Sequence, residues 1–212
     1  MKPKKKINVG FLITLFLILS IFVVYIVLNS RVALAKSDLK EQVKSYQTTM
    51  TKALVAKPDE ISQINSAISS GQKIEQLAEE FAENHWTEIQ AQIQGYYYDQ
   101  NALDIHKRLF CELLEKFFLN GVYLNNITNM SINNQTVQWN LKNQIKIYTE
   151  WEIESDLELR NNNQVMSDYL FYNSSEIVWQ QINNQWKIIK ADPIFPPEFI
   201  YYESVFELYY SK

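Results

Sequence analysis

Only a few residues in this chain are chemically suited to catalysis or metal binding. There are two histidines, His85 and His106, and a single cysteine, Cys111. No zinc motif can be assembled from this set at the usual ligand spacings. His106 and Cys111 are five positions apart on a predicted helix, about 140° around its axis, so they do not form a nucleophile–base pair. No phosphate-cradling glycine loop, G-x-S-x-G or kinase motif occurs either, so we expect no catalytic residue, no metal site and no cofactor.

His106 supports the one specific catalytic hypothesis. It lies on the apolar face of its predicted helix, with Asp99 and Asp104 nearby in the sequence. A buried His–Asp pair can transfer protons, and Trp151 and Trp179 of the predicted sheet would complete a candidate pocket over it. The competing interpretation, which we adopt, is a core histidine whose ring nitrogens bond backbone or tyrosine groups.

An apolar segment near the N-terminus predicts how the chain lies relative to a membrane. Phe11–Leu28 contains no charged residue and follows four lysines, namely Lys2, Lys4, Lys5 and Lys6. This pattern predicts a cytoplasmic basic tail over 1–8, a transmembrane helix over 9–28 and export of everything that follows. The alternative is a signal peptide cleaved at Ala33-Leu34-Ala35, although the apolar run is longer than a usual signal sequence requires. Both interpretations export the remainder.

Composition limits the number of domains in the exported part and the partners that it can bind. Of the 212 residues, those outside the anchor suffice for one domain and a membrane-proximal stalk. Without the four N-terminal lysines, 16 basic residues remain against 24 acidic ones. A net charge of about −8 disfavours nucleic-acid binding. The single cysteine excludes an internal disulfide, and the low glycine count with many Asn, Ile, Lys and Tyr residues favours a bacterial source.

Helices are predicted first along the exported part. The segment 29–70 is predicted as a helical stalk, and an a/d-type seam of Leu39, Val43, Tyr46, Met50 and Ala53 runs through it. This seam pairs with a second copy, lies on the chain's own domain, or belongs to a helix that merely continues the anchor. Helical spacing then predicts helices over 72–94 and 102–119. The second is capped by Asp99 or Asn101 and ends at Asn120-Gly121.

From residue 121 onwards the apolar period changes to two, which indicates strands. Long strands are predicted over 145–160 and 165–182, the latter bent or bulged at Asn173-Ser174-Ser175, and Asn183-Asn184 forms a hairpin into a strand over 186–191. One or two shorter strands, with a turn at Asn133-Asn134, fill 124–140. The fold class is therefore α+β, with helices packed on a curved antiparallel sheet in an exported domain over 71–212.

The C-terminal tail is unusually aromatic. A tail of this kind either packs back on its domain or forms a contact surface for another protein. The candidate partner surface comprises Phe199, Tyr201, Tyr202, Phe206 and Tyr209.

The order of these parts resembles a known family. A basic N-terminus and one membrane helix precede helices and a meander that ends in Val178–Ile189, with Trp179 and Trp186, and a proline-containing exit, Ala191–Pro197. This is similar to the nuclear-transport-factor-two-like cone fold. More narrowly, it resembles the membrane-anchored versions of that fold: the VirB-family bitopic assembly factors of type IV secretion and conjugation machines, and the Gram-positive conjugation proteins of the same shape.

The resemblance implies a non-enzymatic, single-pass component of the bacterial cytoplasmic (inner) membrane. Its partners would be the lipid bilayer, further copies of itself and other membrane or secretion-machine proteins. The cone fold also hosts isomerases and dehydratases, so an exported ligand-binding or enzymatic domain is the alternative. A deep pocket reaching His106 would favour that alternative, whereas an interior filled with side chains would favour a scaffold.

Overall fold

The computed structural model describes residues 9–139, 144–160, 164–183 and 185–191. Four helices come first and four strands follow. They are α1 (Val9–Lys52), α2 (Pro58–Ser69), α3 (Glu75–Ile93), α4 (Gln100–Asn120), β1 (Val122–Trp139), β2 (Gln144–Leu159), β3 (Gln164–Ile182) and β4 (Gln185–Ala191), with a short 3-10 turn at Gln94–Tyr96.

The strands form one antiparallel sheet in the order β1-β2-β3-β4. In β2 every second residue is buried and the residues between are partly exposed, as the alternating sequence predicts. The helices cover the buried face, which carries Ile145, Ile147, Trp151, Ile153 and Leu157. The prediction of an α+β fold with helices on an antiparallel sheet is confirmed.

Two details of the predicted sheet are wrong. No turn occurs at Asn133-Asn134, because β1 runs unbroken from Val122 to Trp139 and the register against β2 merely shifts between Ile132 and Asn134. The predicted bulge at 173–175 is also absent, because these residues pair in regular register with β2. Ser175 instead faces the core, where its hydroxyl is hydrogen-bonded, so a polar residue there needs no break in the strand.

Helix α1 has two dissimilar halves. Its apolar N-terminal part is exposed, and it is the one described helix long and apolar enough to cross a membrane, by length and composition. Its C-terminal part carries a fully buried stripe of Leu39, Val43, Tyr46 and Met50. Of the alternatives for this seam, the structure therefore has the helix lying on its own domain, as a continuation of the apolar segment.

Helix α4 begins and ends as the sequence predicts. The Asp99 carboxylate accepts a hydrogen bond from the backbone N–H of Ala102 (2.8 Å), which satisfies an unpaired donor of the first turn. Gly121 ends the helix at φ +68°, where a Cβ would lie 2.7 Å from the Arg160 Cβ. The Arg160 guanidinium in turn donates to the Leu119 carbonyl (2.6 Å), one of the open acceptors of the last turn.

The predicted partner surface of Phe199, Tyr201, Tyr202, Phe206 and Tyr209 lies outside the described residues. The cytoplasmic tail over 1–8 and the exit segment after Ala191 lie outside them as well.

Candidate functional site

His106 lies in the core and is 4% exposed. Its Nε2 is 3.0 Å from the Tyr46 hydroxyl, which is itself 2.7 Å from the Tyr97 hydroxyl. Neither aspartate of the catalytic hypothesis has a described contact with the ring, since Asp99 caps α4 and Asp104 accepts from the Gln100 amide (2.7 Å). His106 therefore bonds a tyrosine, as the core-histidine interpretation predicts.

The electrostatics of this cluster oppose a role as a base near neutral pH. Burial lowers the pKa of His106 to about 4, so its imidazole is neutral under physiological conditions. Burial likewise raises the pKa of Tyr46 and of Tyr97, which keeps both hydroxyls protonated. A general base works best with a pKa near the operating pH, and none of the three groups has one.

The two tryptophans of the candidate pocket occupy the same core, and no described cleft is lined by either of them. The Trp151 Nε1 donates to the Ser175 hydroxyl (3.2 Å), and the Gln47 amide donates to the same oxygen (2.6 Å). Trp179 packs edge-on against Tyr96, with ring centroids 6.4 Å apart. Since Tyr46 touches α4 and Gln47 touches β3, the inner face of α1 fills the space between α4 and the sheet.

The described clefts lie at the surface and away from His106. The largest, about 820 Å³, runs between α2 and the first two strands and is lined by Pro58, Ile61, Ser66, Asn125 and Glu158 among others. Two smaller ones, of about 640 and 530 Å³, follow the flank of α1. No described cleft has His106, Trp151 or Trp179 in its lining.

A second buried histidine forms an ion pair that sequence reasoning missed. The His85 Nε2 lies 2.9 Å from each carboxylate oxygen of Glu60, and both side chains are about 95% buried or more. The His85 Nδ1 lies 2.6 Å from the Ala53 carbonyl at the end of α1. Glu60 also accepts from the backbone N–H of Lys57 (2.9 Å), which satisfies one unpaired donor at the start of α2.

The partners of His85 define its charge. Both ring nitrogens face oxygen acceptors, an arrangement that favours the imidazolium form, in which both nitrogens carry a proton. Burial alone lowers the pKa of His85, but the hydrogen bonds to Glu60 and to the Ala53 carbonyl outweigh burial, and the pKa is raised above its usual value. Neither composition nor spacing predicts that His85 pairs with a residue 25 positions away.

Cys111 has no catalytic partner among the described residues. Its thiol points to the Ala82 carbonyl (3.7 Å), and burial raises its pKa to about 12, so the reactive thiolate is scarce near neutral pH. In the described part of the chain, no group of three or more His, Cys, Asp or Glu residues is arranged to hold a metal ion.

Comparison with known proteins adds little to this geometry. No family model and no curated protein matches the chain. Among solved structures, the intermembrane space region of the chloroplast protein ARC6 matches 54% of this chain and 92% of its own length, at 11% identity and a TM-score of 0.28. A similarity at that level supports no statement about fold or function.

Proposed function

We propose that this chain is a non-catalytic, single-pass membrane protein that holds a compact α+β module against the outer surface of a bacterial cytoplasmic membrane. There it acts as an assembly component of a secretion or conjugation machine, by self-association and recruitment of partners. The cone form of the α+β fold and the link to secretion rest on the resemblance of the sequence. The structure contributes the arguments that follow.

The observation that carries the proposal is the continuity of α1. One unbroken helix of 44 residues contains both the exposed apolar segment and the buried stripe at the heart of the domain. Leu28 ends the apolar segment and Ala35 is the first residue whose side chain is described as buried, so about 10 Å of helix separates the two. A module joined to its anchor without a flexible linker is held at one distance from the membrane and in one orientation. This suits a structural component of an assembly.

The filled interior is the second support. Tyr46 and Gln47 of α1 occupy the space where a cone-fold enzyme would bind its substrate, and the His106 Nε2 bonds Tyr46. Opening a pocket to His106 would require α1, and therefore the anchor, to leave the core. The ligand-binding or enzymatic alternative thus receives less support than the scaffold.

In vivo photocross-linking of the full chain tests the proposal. A photoreactive amino acid is placed at Tyr172 of β3 or at Ile105 of α4, which are 70% and 46% exposed, and at buried Tyr123 as the control. We expect adducts to a second copy or to other membrane proteins from the exposed positions and none from Tyr123. A strictly monomeric protein without adducts at native abundance would refute the assembly role.

Cell fractionation tests the anchor separately. We expect the chain to stay in the membrane fraction after alkaline extraction, with its domain accessible from outside the cytoplasm. A His106→Ala variant that keeps the cross-links would agree with a scaffold. A specific loss of a chemical activity in that variant, with the fold retained, would favour the enzymatic alternative.

A further inference from the structure

The two edge strands of the sheet are protected to different degrees. At one edge, β4 is only 7 residues long and contains Lys187 and Lys190. Its outer side is partly covered, because the Tyr98 N–H donates to the Ile188 carbonyl (2.9 Å). At the other edge, β1 is 18 residues long and contains no charged residue, no proline and no glycine. A long edge strand that lacks such residues is a template for pairing with a further strand.

The outer side of β1 already pairs with an extended segment of the chain at one point. The Ala56 N–H donates to the Leu124 carbonyl (2.8 Å), and Val55 forms a parallel bridge to Leu124. Beyond this bridge, no described residue outside β2 makes a backbone pairing with β1. Register shifts occur before Asn134, but Asn134–Trp139 pairs with β2 in unbroken register. In the described part of the chain, this regular stretch therefore has a free outer edge.

The core face of this edge is incompletely covered. Val137 and Trp139 are only partly buried, although they lie opposite the fully buried Ile147 and Ile145 of β2. The side chain of Gln135 has a buried amide nitrogen with no hydrogen-bond partner among the described residues. Buried donors are normally paired, so this edge lacks both apolar cover and a hydrogen-bond acceptor. An additional strand beside β1 would supply both.

The outer face of the sheet beside this edge is acidic. Three carboxylates of β2 lie directly opposite uncharged residues of β1, namely Glu150, Glu152 and Glu154. None of the three belongs to an ion pair within the described residues. A strand added to β1 would lie about 10 Å from β2, which is two strand spacings. Long basic side chains on its outer face would bring their charges within a Debye length of these carboxylates, whereas acidic ones would be repelled.

We propose that Asn129–Trp139 of β1 is a docking edge for an extended segment of a partner protein, which adds a fifth strand to the sheet. Backbone hydrogen bonds hold the segment, and the two faces select one in which apolar and basic residues alternate. The apolar residues cover Val137 and Trp139, and the basic residues face the carboxylates of β2. This inference deepens the proposed recruitment of partners and rests on that proposed function.

A second copy of the chain does not fit this edge. Two identical β1 strands pair symmetrically when they are antiparallel, about a two-fold axis perpendicular to the sheet. Helix α1 runs along the sheet, since Gln47 bonds Ser175 and Val55 bridges Leu124, and these contacts lie opposite residues of β2 that are eight positions apart. The axis would turn the two copies of α1 in opposite directions, so their anchors would not enter the same membrane. The occupant is therefore a different protein, and self-association requires another surface.

Amide hydrogen exchange of the full chain in phosphatidylcholine nanodiscs tests this edge with defined peptides. One eight-residue peptide alternates valine with lysine, and its matched control alternates valine with glutamate. We expect the valine–lysine peptide to slow exchange several-fold within Asn129–Trp139, and the valine–glutamate peptide to have no effect. Absence of protection by either peptide at its highest soluble concentration, or equal protection by both, would overturn the proposal.

A charge reversal on the neighbouring strand tests the selection of a basic segment. Glu150→Lys with Glu154→Lys should reverse the preference, so that only the valine–glutamate peptide protects β1. Glu79→Lys with Glu80→Lys, at exposed positions of α3, makes the same change in net charge and should leave the preference unaltered. Slow exchange in the core of β2 without peptide verifies that each variant is folded. A preference for lysine that survives the reversal on β2 would refute the role of its carboxylates.

The docking edge and the assembly role fail in different ways. A chain that gives cross-links from Tyr172 or Ile105 but shows no peptide protection would refute this docking edge and leave the assembly role standing. Peptide protection in a strictly monomeric chain without cross-links would support the edge and contradict the assembly role.

Discussion

The buried pair of His85 and Glu60 yields the sharpest prediction. Glu60→Gln keeps the size of the side chain but removes the charge that balances the imidazolium. Both groups are almost fully buried, so the pair is weakly screened by water. Removing one partner of a buried pair costs about 3–5 kcal/mol in the free energy of unfolding. We expect a loss of this size at pH 6, where His85 is charged.

The pH dependence follows from the direction of the shift. The pKa of His85 is raised in the fold above about 6.5, its value in the unfolded chain. Between these two values the native state holds a proton that the unfolded state has lost. The stabilisation is therefore complete below pH 6.5 and is lost as the pH rises through the folded pKa, at up to about 1.4 kcal/mol per pH unit. Glu60→Gln should flatten this decline.

The assay is urea unfolding of the full chain in detergent micelles, followed by tryptophan fluorescence from pH 5.5 to 9. Glu88→Gln is the control, because Glu88 pairs with Lys57 in an exposed ion pair and should cost less than about 1 kcal/mol. A Glu60→Gln protein that loses under 1 kcal/mol at pH 6 and keeps the wild-type pH profile would refute the assignment of a charged, paired His85.

Three further predictions concern other parts of the fold. Tyr46→Phe should destabilise the protein by about 1–3 kcal/mol, because it leaves two buried partners unpaired, whereas exposed Tyr172→Phe should change little in the same urea titration. Gly121→Ala should cost about 1–3 kcal/mol through left-handed strain and a steric clash, while Gly95→Ala, which meets no atom within 4 Å, should be near neutral. Cys111 should react with a maleimide far more slowly in the native protein than in urea at pH 8, and equal rates would contradict its burial.

His106 acts on stability at the opposite end of the pH range. Its folded pKa of about 4 is below the unfolded value, so its contribution is present above about pH 6.5 and is lost as the pH falls towards 4. Together with His85, it should place the maximum of stability near pH 6.5. A proton NMR titration in which His106 titrates between pH 6 and 7 would contradict this assignment.

The sequence by itself determined the features that depend on neighbours along the chain. The apolar segment of α1 needs only its own composition to require a non-aqueous environment. The alternation of β2 and the Gly121 end of α4 are likewise local, and both were predicted where the structure has them. The cap of α4 was narrowed to Asp99 or Asn101, and the structure has Asp99. The Asn and Ser clusters in β1 and β3 predicted a turn and a bulge that the structure does not have, because their side chains bond across the sheet and leave the strands unbroken.

Only the tertiary structure decided what each buried face meets. Periodicity shows that Leu39, Val43 and Tyr46 share a face of α1, but a second copy and the chain's own sheet would present the same apolar surface to it. The same limit applies to polar groups: the partner of His106 is 60 residues away and that of His85 is 25 away. Hydrogen bonds over such separations form only when packing brings distant segments together, so neither spacing nor composition predicts them.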